Sequence, residues 1–308
     1  MPPTAACPLD PRASARSHRV PFSALASAPV RARAWEVNQG VQTALGPWGE
    51  LFRTRATHGV SLATAASAPT LDLAGLITLG KLGAWICAFD DLADGASIDD
   101  DGLDLRIAQY EALTAGDACP ELAFDPIARL FLDVLEDLRS APLGPSLWPL
   151  FSRQLSESLR AMQWERDAMA RRSARERVPL EVYLHHASDS VCVAIVATAA
   201  AMLLGERAVL DRLPALVTAQ RHSCTAVRIA NDEASWRREQ QEGSANVRAL
   251  GLDEAELDLD QRTAAELAGL ELSLIPLRLA APNTCDLIQR LTDVLVTLYR
   301  SGDLDSVQ

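Results

Sequence analysis

The sequence predicts an all-α protein, a single-domain bundle of about ten helices, on three observations. From about Val30 onward the apolar residues recur at helical spacing. No run of alternating apolar and polar residues is flanked by turn signals. The breaks in the helical pattern coincide with Pro47, Gly95, Pro120, Pro142, Gly144, Gly205 and Pro282, residues that interrupt or cap helices. The helices so read cover residues 29–45, 48–58, 70–93, 102–115, 121–139, 146–172, 179–204, 207–240, 254–271 and 283–301.

Two of these segments are apolar almost all round, Leu71 to Phe89 and Val191 to Leu204. The first contains Asp72, Lys81 and three glycines, and the second is shorter than the roughly 20 residues that cross a bilayer. Both therefore read as central helices of a large bundle. The small residues of V-C-V-A-I-V-A-T-A-A-A, Val191 to Ala201, would let neighbouring backbones approach closely.

A chain of 308 residues with 48% hydrophobic content can bury one large core. Its net charge of −12, from 41 acidic against 29 basic side chains, disfavours nucleic acid or an anionic membrane surface as the main partner. An anionic substrate would need a metal or a local arginine cluster. The six cysteines are dispersed, with no C-x-x-C or Cys/His pair at metal-ligand spacing, and read as reduced thiols of a cytoplasmic protein. Residues 1–28, interrupted by Pro2, Pro3, Pro8 and Pro11 and lacking an apolar core of signal-peptide length, read as a disordered tail before a domain over 29–308.

The first candidate site is F-D-D-L-A-D, Phe89 to Asp94, at the end of an apolar helix. Asp90 and Asp94 are one turn apart on one face, and Asp91 is turned about 100° away. Magnesium is commonly held by one or two carboxylates together with substrate phosphates. Acidic residues at a helix C-terminus oppose the macrodipole, so capping does not account for them.

The second is N-D-E-A-S-W-R-R-E, Asn231 to Glu239, late in another helix. Asn231, Ser235 and Glu239 fall at i, i+4 and i+8 and offer three oxygens from one face. Glutamate has the reach for the far position, because helical side chains lean toward the N-terminus. Arg238 could set a guanidinium beside a metal-bound anion. Alone, either motif reads equally as a polar surface segment; an acidic and a mixed oxygen cluster together in an all-α chain point to paired cation sites.

This pair resembles the signature of the class I terpene synthases, in which an aspartate-rich motif precedes an N-x-x-x-S-x-x-x-E motif. The segment E-G-S-A-N-V, Glu242 to Val247, is similar to the family's glycine and asparagine after the second motif, and the likeness extends from about Trp35. By this resemblance Asp90 and Asp94 bind Mg²⁺ on one side of a pocket. Asn231, Ser235 and Glu239 chelate it on the other, three ions are bound in all with the substrate diphosphate, and Arg238 contacts that diphosphate. Where the family usually carries a diphosphate-sensing arginine, the sequence reads Y-L-H-H-A-S-D-S, so His185 or His186 would take that place and Ser188 to Ser190 that of the helix break. The closing residues Tyr299 to Gln308 lack the Arg-Tyr pair of many bacterial members. Trp85 and Phe89 are candidate pocket-lining rings.

The function implied is Mg²⁺-dependent ionisation of a prenyl diphosphate, followed by cyclisation or rearrangement of the carbocation and release of diphosphate. The R-E-x-x-E-G-x-x-N pattern, Arg238 to Asn246, is similar to bacterial diterpene synthases and favours a C20 substrate, linear or bicyclic, over C15. Without a D-x-D-D motif the chain would depend on a separate class II cyclase for a bicyclic substrate. A chain-elongating prenyltransferase, an inactive scaffold of the same fold and a homodimeric assembly remain alternatives to weigh.

Overall fold

The computed structural model describes residues 27–52, 54–95, 98–173, 178–242, 245–250 and 258–301. Among them there is no strand, and eleven α-helices form the bundle: α1 (Ala28–Leu45), α2 (Thr54–Ser67), α3 (Leu73–Asp94), α4 (Asp100–Ala115), α5 (Pro126–Ser140), α6 (Gly144–Ser173), α7 (Leu180–Ala187), α8 (Val193–Leu204), α9 (Leu213–Glu242), α10 (Leu259–Arg278) and α11 (Pro282–Ser301). The tail read from the sequence falls, up to residue 26, outside the described residues, and α1 begins at Ala28 with Pro29 in its first turn.

Local chemistry sets the helix starts. Asp72, Asp99 and Asp125 each cap a helix by accepting a hydrogen bond from a backbone N–H in the first turn, at 2.8 Å from Gly75, 2.9 Å from Gly102 and 2.8 Å from Ile127. The acidic run Asp99 to Asp101 is thus a cap plus a first turn. At the other end of α4, Gly116 takes φ 98°, a left-handed cap that costs glycine little.

Helices α3 and α8 form the centre. α3 packs on α1, α2, α5 and α8, while α8 packs on α6, α9 and α11. At Gly83 an added Cβ would lie 2.4 Å from Val60 Cγ1, so glycine is what lets α2 approach α3 this closely. α3 is long and apolar enough to cross a membrane by length and composition, but 61% of its apolar window is buried inside the bundle. Lys81, on its inner face, pairs with Asp137 at 2.5 Å and Asp133 at 3.3 Å on α5. Gln154, Gln220 and Thr198 close a hydrogen-bonded triad inside α6, α9 and α8 at 2.6–2.8 Å, so the buried amides are satisfied.

Several segments differ from the sequence expectation, among them 121–139 and 207–240, which begin as 3₁₀ turns at Pro120–Leu122 and Arg207–Arg212 before α5 and α9. The helix expected over 48–58 is a 3₁₀ turn over Gly46–Leu51 followed by α2, whose Ser, Thr and Ala content gave a weak helical pattern. The last helices also shift: α10 begins at Leu259 and runs through Pro276 to Arg278, beyond the expected end at 271. Most consequential, the segment 179–204 is two helices. The chain breaks over Ser188–Cys192, and Cys192 adopts φ 57°, ψ 13°, a left-handed conformation costing roughly 1–2 kcal/mol for a residue with a Cβ. Ser188, Asp189 and Ser190 mark the break, at the place the resemblance gave it, although the apolar runs on either side let periodicity read one helix.

Candidate active site

α3 delivers the first motif. Phe89 is fully buried, Asp90 is half-buried, and Asp91 and Asp94 are exposed on the final turn. Arg166, from α6, holds the chain that follows: Nη1 donates to the Ala93 carbonyl at 3.1 Å, Nη2 to the Ile98 carbonyl at 2.6 Å, and Nε pairs with Asp100 at 2.8 Å. One guanidinium thus fixes both the last turn of α3 and the entry to α4, supplying cations where the macrodipole of α3 is negative.

α9 delivers the second motif. Asn231 and Glu239 are half-buried and Ser235 is buried, its Oγ donating to the Asn231 carbonyl at 2.8 Å and so leaving its lone pairs available. Buried Asn246 donates through Nδ2 to Glu239 Oε2 at 2.8 Å and to the Asp232 carbonyl at 2.7 Å. The carboxylate of Glu239 is therefore oriented by the segment that follows its own helix. The side chain of Arg238 lies outside the described residues, as do Gly243 and Ser244.

Close to Asn231 lies a buried ion network that the sequence reading missed. Arg228, one turn before Asp232 and 5% exposed, meets Asp232 at 2.8 Å and Glu165 of α6. It also donates to the Tyr183 hydroxyl, to Ser190 Oγ at 3.0 Å and to the Ala245 carbonyl at 3.1 Å. Tyr183 donates to Asp232 Oδ2 at 2.8 Å, and the Val247 N–H does so at 3.1 Å. The only sequence signal for this network is Arg and Asp at i, i+4 in R-I-A-N-D.

Electrostatics join the two motifs. Burial pushes the Glu165 carboxyl up to about 8 against the pull of Arg228 and the Ser190 hydroxyl, and the charges of Asp232 and Asp90 push it further. Burial likewise lifts Asp232 to about 6, opposed by Arg228 and aided by Glu239. Asp90 also acts on the buried Cys192 thiol at the helix break, which burial holds well above its ordinary value. Glu165 thus senses Asp90 from α3 and Asp232 from α9, with the break over Ser188–Cys192 beside it.

The histidines occupy the end of α7. His185 is exposed with Nδ1 2.6 Å from Arg221 Nη2, and His186 stacks on Trp164 at 4.7 Å. Arg221 is a further cation at this place that the sequence reading did not single out. Trp85 and Phe89 lie in a fully buried ring cluster, Trp85 stacked on Phe131 at 4.4 Å and Phe89 edge-on to Tyr110 at 5.3 Å.

Among the described residues no group of three or more His, Cys, Asp or Glu could hold a metal ion by itself. The donors at the two motifs are hard oxygens from Asp, Asn, Ser and Glu, a set that fits Mg²⁺ completed by substrate oxygens and water.

The all-helical bundle has the fold of the class I terpene synthases. The chain belongs to terpene synthase family 2: the family model for its C-terminal metal-binding region matches residues 81–269. No curated protein matches the sequence significantly. Among solved structures, it is similar to 2-methylisoborneol synthase from Streptomyces coelicolor A3(2) in complex with Mg²⁺ and geranyl-S-thiolodiphosphate, at TM-score 0.69 and 17% identity over 88% of this chain and 91% of that one. Linalool/nerolidol synthase from Streptomyces clavuligerus with 2-fluorogeranyl diphosphate gives TM-score 0.64 and 18% identity over 86% and 94%. Abietadiene synthase from Abies grandis gives 0.65 and 16% over 87% of this chain and 38% of that one. At these identities the likeness is one of fold.

Proposed function

We propose that this terpene synthase is Mg²⁺-dependent, ionises a C20 prenyl diphosphate, linear or bicyclic, and cyclises or rearranges the cation before releasing diphosphate. The observation that carries the reading is an aspartate-rich helix end on α3 together with an Asn-Ser-Glu face on α9, in a chain whose residues 81–269 match the family's metal-binding region. In this reading Asp90 and Asp94 hold the ions from one side and Asn231, Ser235 and Glu239 from the other. Bound Mg²⁺ would neutralise the diphosphate and make it a competent leaving group.

The residues of the chain do the rest. Arg238, with His185 or His186 and the neighbouring Arg221, would contact the diphosphate oxygens, a charged donor doing so more strongly than a neutral one. Asn246 keeps Glu239 turned to its place without competing for the ion. The apolar helices exclude water, so that a substrate double bond meets the cation before solvent does. The enzyme would work in the cytoplasm, and a bicyclic substrate would come from a separate class II cyclase, since protonation-initiated cyclisation needs an acid motif this sequence lacks.

The test is incubation of the purified protein and Mg²⁺ with C10, C15, C20 and bicyclic C20 diphosphates, measuring diphosphate release and hydrocarbon products. Turnover should be greatest with a C20 substrate, vanish on chelation, and fall at least about 100-fold in Glu239→Gln while the thermal midpoint is kept. Diphosphate release that ignores chelation would overturn the mechanism; a preference for C15 would overturn the substrate.

A further inference from the structure

The end of α3 that carries the aspartates is poorly closed by its own chain. Its last five residues, Asp90 to Asp94, hold three aspartates and no basic residue, at the negative pole of the helix macrodipole. Gly95 beyond them is extended, at φ −72° and ψ 145°. It does not make the left-handed turn with which Gly116, at the end of α4, returns its N–H to the carbonyls of Ala112 and Leu113. The last carbonyls of a helix have no partner within it. One of them, that of Ala93, receives Nη1 of Arg166 from α6 at 3.1 Å. The same side chain reaches past the helix end to the Ile98 carbonyl through Nη2 at 2.6 Å, and to Asp100 through Nε at 2.8 Å. All three nitrogens of one planar guanidinium are engaged. Asp100 is 75% exposed, where an ion pair is worth little, so the two carbonyl contacts carry the clamp.

We propose that Arg166 is a positioning residue for the Mg²⁺ site, holding the last turn of α3 so that Asp90 and Asp94 present their oxygens together before an ion arrives. The inference rests on the reading of those two aspartates as Mg²⁺ ligands. Carboxylates at i and i+4 share a face only while the turn between them is helical. Where that turn is open for part of the time, each binding event must first form it, and the apparent affinity falls in proportion to the fraction formed. At saturating Mg²⁺ the ion itself holds the turn, so maximal turnover changes less than the Mg²⁺ requirement does. Charge alone is not enough for this role. Lysine offers one ammonium where the guanidinium spans three acceptors in fixed directions.

The test begins without turnover. The thermal midpoint of the full-length protein is followed against Mg²⁺ concentration in the presence of inorganic diphosphate, for wild type, Arg166→Gln, Arg166→Lys and Asp100→Asn. The wild type should be stabilised, and Arg166→Gln should need about tenfold more Mg²⁺ for half the effect. Arg166→Lys should behave like the glutamine variant, and Asp100→Asn should stay within about twofold of wild type. Hydrogen exchange in the metal-free protein should be faster in the last turn of α3 in Arg166→Gln, and slow again when Mg²⁺ and diphosphate saturate it. Activity measured against Mg²⁺ should show the same shift, with a smaller loss at saturation. An Arg166→Gln protein whose metal-free midpoint falls while its Mg²⁺ requirement stays at the wild-type value would make Arg166 a fold residue and overturn the proposal. Full rescue by Arg166→Lys would also overturn it, since charge would then suffice. A wild type that ignores Mg²⁺ and diphosphate altogether would overturn the reading of the site itself, and this inference with it.

Discussion

The two ends of the candidate site are built in opposite ways. The aspartate-rich end of α3 is open: Asp91 and Asp94 are exposed, and the turn beyond them is held from one side by Arg166. The second motif, on α9, is neighboured by a network of largely buried charge, in which Asp232, Arg228, Glu165 and Tyr183 are locked together. A ligand set whose supports are themselves fixed by packing and hydrogen bonds is preorganised. Of the two carboxylates assigned on α3, Asp94 is exposed and Asp90 half-buried. The two ends thus differ in how far packing holds them.

The strongest way to break that contrast is to remove charge from each end in turn. Arg228→Leu leaves Glu165 and Asp232 buried and unpaired, and should destabilise the fold by about 3–5 kcal/mol. Asp94→Asn alters an exposed side chain, where an ion pair is worth little, and should change stability by no more than about 1 kcal/mol. Denaturant unfolding of the two variants without metal measures both. Comparable losses would mean that the network beside the second motif is no more structural than the exposed rim of α3.

A smaller effect sharpens the same contrast. Asn246→Ala deprives Glu239 and the Asp232 carbonyl of their donor in a buried place, costing about 1–3 kcal/mol. Because Glu239 then loses the hydrogen bond from Asn246 that orients it, half-maximal activity should need more Mg²⁺, whereas turnover at saturating Mg²⁺ should fall less. Activity measured against Mg²⁺ concentration separates a positioning role from a purely structural one: a stability loss with no shift in the Mg²⁺ requirement would make Asn246 a fold residue only.

Helix content was legible because periodicity needs only the pattern of apolar residues, and it located both motifs on helices at the places where they lie. Three kinds of information were not legible. Periodicity missed the break that the resemblance had put at Ser188 to Ser190, where Ser190 meets Glu165 and Arg228, contacts between residues far apart in sequence. Arg228 and Glu165 look like ordinary surface charges on amphipathic helices, and only packing shows them buried. Trp85 and Phe89 read as pocket rings from their distance to Asp90, whereas the structure sets them among Tyr110 and Phe131, partners supplied by α4 and α5. Position along a helix gives a face; what covers that face is a tertiary fact.

The buried network should also leave a mark on pH dependence, the smallest of the expected effects. Glu165 is lifted from an ordinary 4.5 to about 8 and Asp232 from 3.8 to about 6, in both cases chiefly by burial. A carboxyl whose folded value is raised binds its proton more tightly in the native state than in the unfolded one. Its contribution is therefore fully present below the unfolded value and is lost as pH rises through the folded value. Across the interval from about 4.5 to about 8 these two groups make the metal-free protein less stable with rising pH, opposite in sign to carboxylates held ionised by partners. Thermal midpoints of wild type and Glu165→Gln, taken in chelator through that interval, isolate the effect, because every other titrating group is common to both. The wild type should lose stability relative to the variant steadily as pH rises from about 4.5, and the divergence should level off above about 8. Parallel curves would mean that Glu165 is ionised throughout and that Arg228, rather than burial, governs the network beside the second motif.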